Sequence, residues 1–220
     1  MAENSSTTGK LILVPALITL VITLLRVYGE LHYWSPVFFS RAAGGGLAVV
    51  GITWLPIFFG PYFALKLARA GNGPTSMGKS FLFTLVGLVV FVGGSYLAFS
   101  AGPGQISTKG LLAYLVMLVG ALVTLAGWPA LTKTLFAYGY AARIPVAIVM
   151  YAAIQGSWGT HYDALPPGYP PDVAFWTKYI GIGLLPQFVL WIAFTVIVGS
   201  LFGGIAAAIA GRGKTAEQSA

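Results

Sequence analysis

The sequence predicts an all-α, polytopic transmembrane helix bundle of about six spans, forming a single integral membrane domain. Three observations predict it. Charged residues are only 8% of the 220-residue chain against 57% hydrophobic, whereas a soluble domain carries about a quarter charged residues. Uncharged runs fall at 11–25, 42–65, 80–108, 110–132, 144–162 and 179–211, and a span needs about 20 mostly apolar residues to cross about 30 Å of hydrocarbon. None of the runs alternates apolar with polar residues as barrel strands would, so helices are favoured. Six spans leave no room for a separate soluble domain.

The expected spans are approximately 11–30, 44–65, 80–100, 110–131, 144–160 and 187–210. The first uncharged run rises only about 22 Å as a helix, so the helix is expected to continue through Arg26 toward Trp34 until Pro36 limits it. It is not read as a removable signal peptide, because it lacks a strongly basic leader and a small-residue cleavage site. Span two opens on Gly44, Gly45 and Gly46 and contains Pro56 and Pro61, which predicts a kinked or broken helix. Span five begins with Arg143, Ile144 and Pro145; a start near Leu135 would bury Arg143. Between spans five and six, Pro166, Pro167, Pro170 and Pro171 predict a stiff, extended outer loop. In the last run Pro186 divides an interfacial lead-in, 175–185, from a span starting near Gln187.

Charge sets an orientation. With both termini cytoplasmic, the inner segments hold Lys10, Lys66, Arg69, Lys79, Lys133, Arg143, Arg212 and Lys214, and the outer ones Arg26, Arg41, Lys109 and Lys178. The inner excess of basic residues follows the positive-inside rule. A bacterial inner membrane is the expected location. Glu30, Asp163, Asp172, His32 and His161 then all lie on the outer side. The net charge of +7 is assigned to helix-end anchors rather than to nucleic-acid binding, which needs a basic soluble surface. The absence of cysteine excludes thiolate metal sites, disulfides and cysteine nucleophiles.

Two motifs carry a bland reading. Gly73-Pro74-Thr75-Ser76-Met77-Gly78-Lys79-Ser80 matches the phosphate-loop pattern letter for letter. The chemistry needs a buried strand before the loop and a helix facing the phosphates after it. Here the motif joins two apolar runs, so the match is judged accidental. Gly199, Gly203, Ala207 and Gly211 recur every four residues in the last span. Small residues at that spacing let backbones approach closely, within the chain first and between copies or with a membrane partner second.

Two outer segments carry the functional expectation. Arg26 and Glu30 are four apart and share a helical face near the outer boundary, with Tyr33 a turn further on. Ionisable groups at that depth mark functional paths when they face the bundle interior, and snorkel to the headgroups when they do not. The second segment runs from Gln155 through Trp158, His161 and Asp163. In extended backbone His161 and Asp163 point to one side, and Glu30 and His32 lie on the same face of the membrane. These four are the candidate metal ligands, although nothing in their spacing demands a metal and no cofactor is specified.

The expectation is an outward-facing polar vestibule lined by Arg26, Glu30, His32, Tyr33, Trp158, His161 and Asp163. It would bind or pass a small solute, or belong to a membrane subunit of a larger complex. A membrane-embedded metal enzyme built on His32, His161, Glu30 and Asp163 is one alternative, and a purely structural subunit the other. The bilayer is the one partner the composition requires.

Overall fold

The computed structural model describes residues 2–46, 48–102 and 106–217. Among them every regular element is helical. Leu47 in the second apolar run, and residues 103–105 in the third, lie outside the described residues, as do the side chains of Arg212 and Lys214.

Five helical stretches are long and apolar enough to cross a membrane: Thr8–Leu31, Met77–Ser100, Thr108–Ala126, Pro129–Gly156 and Phe175–Gly211. The faces they leave uncovered carry Leu17, Val21, Val89, Leu115, Ile148 and Ile209. In water such surfaces would associate, while in lipid they are the ordinary exterior.

Helix α1 (Ala2–Leu31) ends earlier than Pro36 would require. Tyr33 adopts a left-handed conformation (φ 56°), and the Trp34 N–H donates to the Gly29 carbonyl. That pair caps the helix by satisfying a carbonyl its last turn would orphan. The described residues from there to Trp54 hold no regular helix apart from the short 3-10 turn Ala43–Gly45. Gly44, Gly45 and Gly46 all have positive φ, a run that only glycine makes cheaply.

Helix α2 (Leu55–Arg69) therefore starts eleven residues later than the Gly44 expected from sequence. Pro56 sits in its first turn, where a missing N–H costs nothing. It opens the helix instead of kinking it. At 15 residues α2 spans only about 22 Å.

Helices α3 (Met77–Ser100) and α4 (Thr108–Val123) form an antiparallel pair capped by Ser76 and Ser107. Their backbones meet where Gly87 faces Gly120 and Gly94 faces Met117. Helix α5 (Pro129–Gly156) begins fifteen residues before the expected start of span five, with Pro129 in its first turn. Pro145, read from sequence as marking a helix start, lies inside it. Arg143 is thereby carried into the bundle.

The last stretch is one unbroken helical run: α6 (Phe175–Lys178), two π-helical segments at Tyr179–Leu184 and Pro186–Leu190, and α7 (Trp191–Glu217). Pro186 does not divide it. The wider π turn absorbs the missing N–H and the ring without a break.

Gly60 of α2 packs on Gly199 of α7, and Ala64 on Gly203, so the two helices run parallel in close contact. The small-residue face seats α2 of the same chain. Ala207 packs against the same core, while a side chain at Gly211 would meet nothing within 4 Å. That core, built on Phe63, Leu131, Leu135, Ile192 and Val196, lies between α2, α5 and α7.

Candidate functional site

The helical rise that puts Arg26 and Glu30 on one face of α1 also lets them pair: Arg26 Nε donates to Glu30 Oε1 at 2.8 Å. Glu30 is 1% exposed. Its other oxygen accepts the backbone N–H of His161 at 2.9 Å, and His161 Nδ1 lies 2.5 Å from Oε1. One carboxylate thus faces three donors, with the His161 proton on Nδ1. Burial lowers the His161 pKa below its ordinary value, with the Arg26 charge acting in the same direction and the Glu30 hydrogen bond opposing both. The ring is therefore neutral near pH 7. Burial also pushes the neighbouring Tyr162 phenol up.

Arg26 also organises the irregular stretch that follows α1. Its Nη2 donates to the Gly45 carbonyl at 2.8 Å and to the Ser40 carbonyl at 3.2 Å. Gly45 has no alternative here. Its φ is +80°, and a Cβ would stand 2.7 Å from Arg26 Nη2. Irregular backbone inside a bundle survives where protein groups replace the missing hydrogen bonds, and the guanidinium supplies them.

Asp163 acts on the turn that delivers His161. Its Oδ1 accepts from the Thr160 N–H and hydroxyl, both at 2.7 Å, and its Oδ2 from the Gly159 N–H at 2.9 Å. Expectation and structure differ at this point. The backbone turns rather than extends, so His161 faces Glu30 while Asp163 faces its own loop.

Sequence reasoning left Arg143 undecided, at an inner helix end or buried. It is 5% exposed. Nη1 donates to Gln187 Oε1 at 3.1 Å, and the Trp191 ring lies 4.9 Å from its Cζ. Gln187 sits on the second π segment, a helix type that often marks functional positions. Trp128-Pro129 was the available signal: a proline in that position opens a helix long enough to bury Arg143.

Between the two arginines lies a cavity of about 320 Å³, whose polar lining includes Thr23, Arg26, Thr53, Arg143, His161 and Gln187. Of the seven residues singled out from sequence, Arg26, Glu30 and His161 come together. His32 is exposed, stacked on Tyr28 with Nδ1 2.9 Å from the Tyr28 carbonyl oxygen. Tyr33 is exposed beneath the Arg41 guanidinium, 4.0 Å away. Trp158 packs over Gly156. The four candidate metal ligands do not converge, and among the described residues no three His, Asp or Glu side chains gather as a metal site would require. The phosphate-loop match covers the end of the loop after α2 and the first turn of α3, where the Ser76 hydroxyl accepts the Lys79 N–H and no strand precedes it among the described residues.

The chain matches no protein-family model, no curated protein and no solved structure. The functional argument therefore rests on the geometry of this cavity.

Proposed function

We propose that the protein crosses a bacterial inner membrane six times, with both termini cytoplasmic, and binds a small solute in the cavity between Arg26 and Arg143. The carrying observation is a cavity of about 320 Å³, lined by two buried arginines, inside a mainly apolar bundle. Polar groups at that depth cost free energy unless they face partners, water or a ligand. The sixth crossing is α2 with the irregular residues 48–54 that lead into it. Discontinuous segments of this kind supply backbone groups to solute sites in transporters. Charge supports the orientation: Lys66, Arg69, Lys79 and Lys133 flank the helix ends opposite to Glu30 and His161.

Binding or passage is favoured over catalysis. Glu30 and Asp163, the acids nearest the cavity, have both oxygens committed to hydrogen bonds. Each accepts three hydrogen bonds from the groups it holds in place, so both serve the framework around the cavity.

The chain has no cysteine, so a single Thr53→Cys substitution gives a clean reporter within the cavity lining. A membrane-impermeant maleimide is expected to label it from the outer side of sealed vesicles and not from the inner side. Labelling from the inner side alone would reverse the orientation. No labelling even in detergent would deny an accessible cavity. Reporter fusions at Gly73 and Pro167 are expected to report opposite compartments.

A further inference from the structure

Arg143 is the incomplete part of this cavity. It stands about 21 Å along α5 from Pro129, half-way through the helix. Arg26 has a carboxylate and two carbonyls, but the one hydrogen-bond partner of Arg143 is the neutral Gln187, through Nη1. Among the described residues its Nε and Nη2 have no hydrogen-bond partner. Among the described residues no carboxylate lies within 4 Å of it. Glu30 is occupied by Arg26 and His161, and Asp163 by its own turn. Arg26 is thus paired with Glu30, while among the described residues Arg143 has no carboxylate partner. A buried cation of that kind calls for a counter-ion, and the free Nε–Nη2 edge has the fork geometry that a carboxylate or phosphate accepts from.

A second cavity, of about 390 Å³, lies beside the first between α3, α4 and α7. It is lined by apolar groups such as Phe91, Met117 and Phe194. Phe99, Leu190 and Trp191 line both cavities. Trp191 borders both: its ring lies 4.9 Å from the Arg143 guanidinium carbon, and the same side chain lines the apolar space. A polar head site adjoining an apolar slot, with three lining residues shared, suits an amphipathic ligand.

We propose that the two cavities form one site for an amphipathic anion, with its carboxylate or phosphate head on Arg143 and its hydrocarbon chain in the slot beyond Trp191. This rests on the reading that the first cavity binds a solute. The same head-and-chain chemistry occurs in a single-chain acid and in an anionic bilayer lipid.

The experiment is ligand-dependent thermal stabilisation of the full chain in an uncharged detergent, since a ligand binding only the folded state raises Tm with its concentration. The probes are palmitate, hexadecanol with the same chain and a neutral head, acetate and inorganic phosphate as heads alone, and phosphatidylglycerol. Palmitate is expected to raise Tm saturably and to bind at least tenfold more tightly than hexadecanol. Acetate and phosphate are expected to be at least a hundredfold weaker. Arg143→Met should abolish the preference for palmitate over hexadecanol, and Arg143→Lys should keep part of it. Ser95→Phe fills the slot from a residue remote from the charge, and should weaken palmitate at least tenfold even if Arg143→Met fails to fold. Competition of phosphatidylglycerol with palmitate supports a bilayer lipid as the source, and its absence with palmitate bound supports a single-chain acid.

Equal binding of palmitate and hexadecanol, or palmitate binding untouched by Arg143→Met, would overturn the proposal. Acetate or phosphate binding as tightly as palmitate would overturn the apolar extension and leave the solute cavity standing. If no probe stabilises the protein and the Thr53→Cys reporter is inaccessible, the cavity reading fails with it.

Discussion

Replacing Glu30 by Leu removes the group on which Arg26 and His161 converge at one end of the bundle. The carboxylate is buried and holds Arg26 Nε at 2.8 Å, the His161 N–H at 2.9 Å and the His161 ring at 2.5 Å. Glu30→Leu strands the Arg26 charge and orphans a buried N–H. Breaking a buried ion pair from one side costs about 3–5 kcal/mol, and an orphaned buried N–H about 1–3 kcal/mol. Arg26 keeps the Ser40 and Gly45 carbonyls, so the expected loss sits near the low end of the sum, about 4 kcal/mol. Arg26→Leu leaves Glu30 with His161 but frees those two carbonyls, at about 3 kcal/mol. The double variant strands no charge; only the orphaned N–H and carbonyls remain, at about 4 kcal/mol against the roughly 7 kcal/mol additivity requires. The coupling is thus about 3 kcal/mol. Unfolding of the four proteins in one uncharged detergent measures it. Additivity within about 0.5 kcal/mol would refute the reasoning and make the two side chains independent surface anchors.

Three further outcomes follow from single contacts. His161 is held neutral by burial, so below its ordinary value of 6.5 the unfolded chain binds a proton that the folded chain does not. Stability is therefore expected to be flat above about pH 7 and to fall as pH drops toward 5, by up to about 1.4 kcal/mol per unit; Tm measured across that range checks it, and a rise on acidification would contradict it. Gly60→Ala drives a methyl into the Gly199 carbonyl, at about 1–3 kcal/mol, whereas Gly93→Ala in α3 meets nothing within 4 Å and should be neutral or stabilising by up to about 1 kcal/mol; folded yield by size-exclusion chromatography separates the two. Lys79 is exposed, so Lys79→Ala should change stability by no more than about 0.5 kcal/mol and leave nucleotide binding as weak as in the parent; saturable ATP binding lost in the variant would revive the phosphate-loop reading.

Part of the candidate site was legible in the sequence. The four-residue spacing of Arg26 and Glu30 put them on one face, and charge asymmetry put His161 at the same end of the bundle. Their union was not legible, because Glu30 and His161 are 131 residues apart and no local pattern encodes that register. His32, Tyr33 and Trp158 looked equally good from sequence, since a residue type near a boundary does not reveal which way its side chain turns. His32 follows the last residue of α1 and stacks on Tyr28 at the exposed rim, away from Glu30 and His161.

The amino-acid sequence alone determined what is set by composition and short-range periodicity: helices rather than strands, lipid as solvent, and the Arg26–Glu30 spacing. Tertiary structure decided the meaning of the prolines and the fate of the charges. Pro56 opens α2, Pro145 rides inside α5, and Pro186 is absorbed by π turns. A proline's effect depends on whether neighbouring groups take up the hydrogen bonds it leaves open, and those neighbours are remote in sequence. Arg143 follows the same rule. A mid-helix arginine is tolerated in an apolar bundle only through what faces it, and Gln187, Trp191 and the cavity beside them meet it only once α5 and the last helical run have packed together.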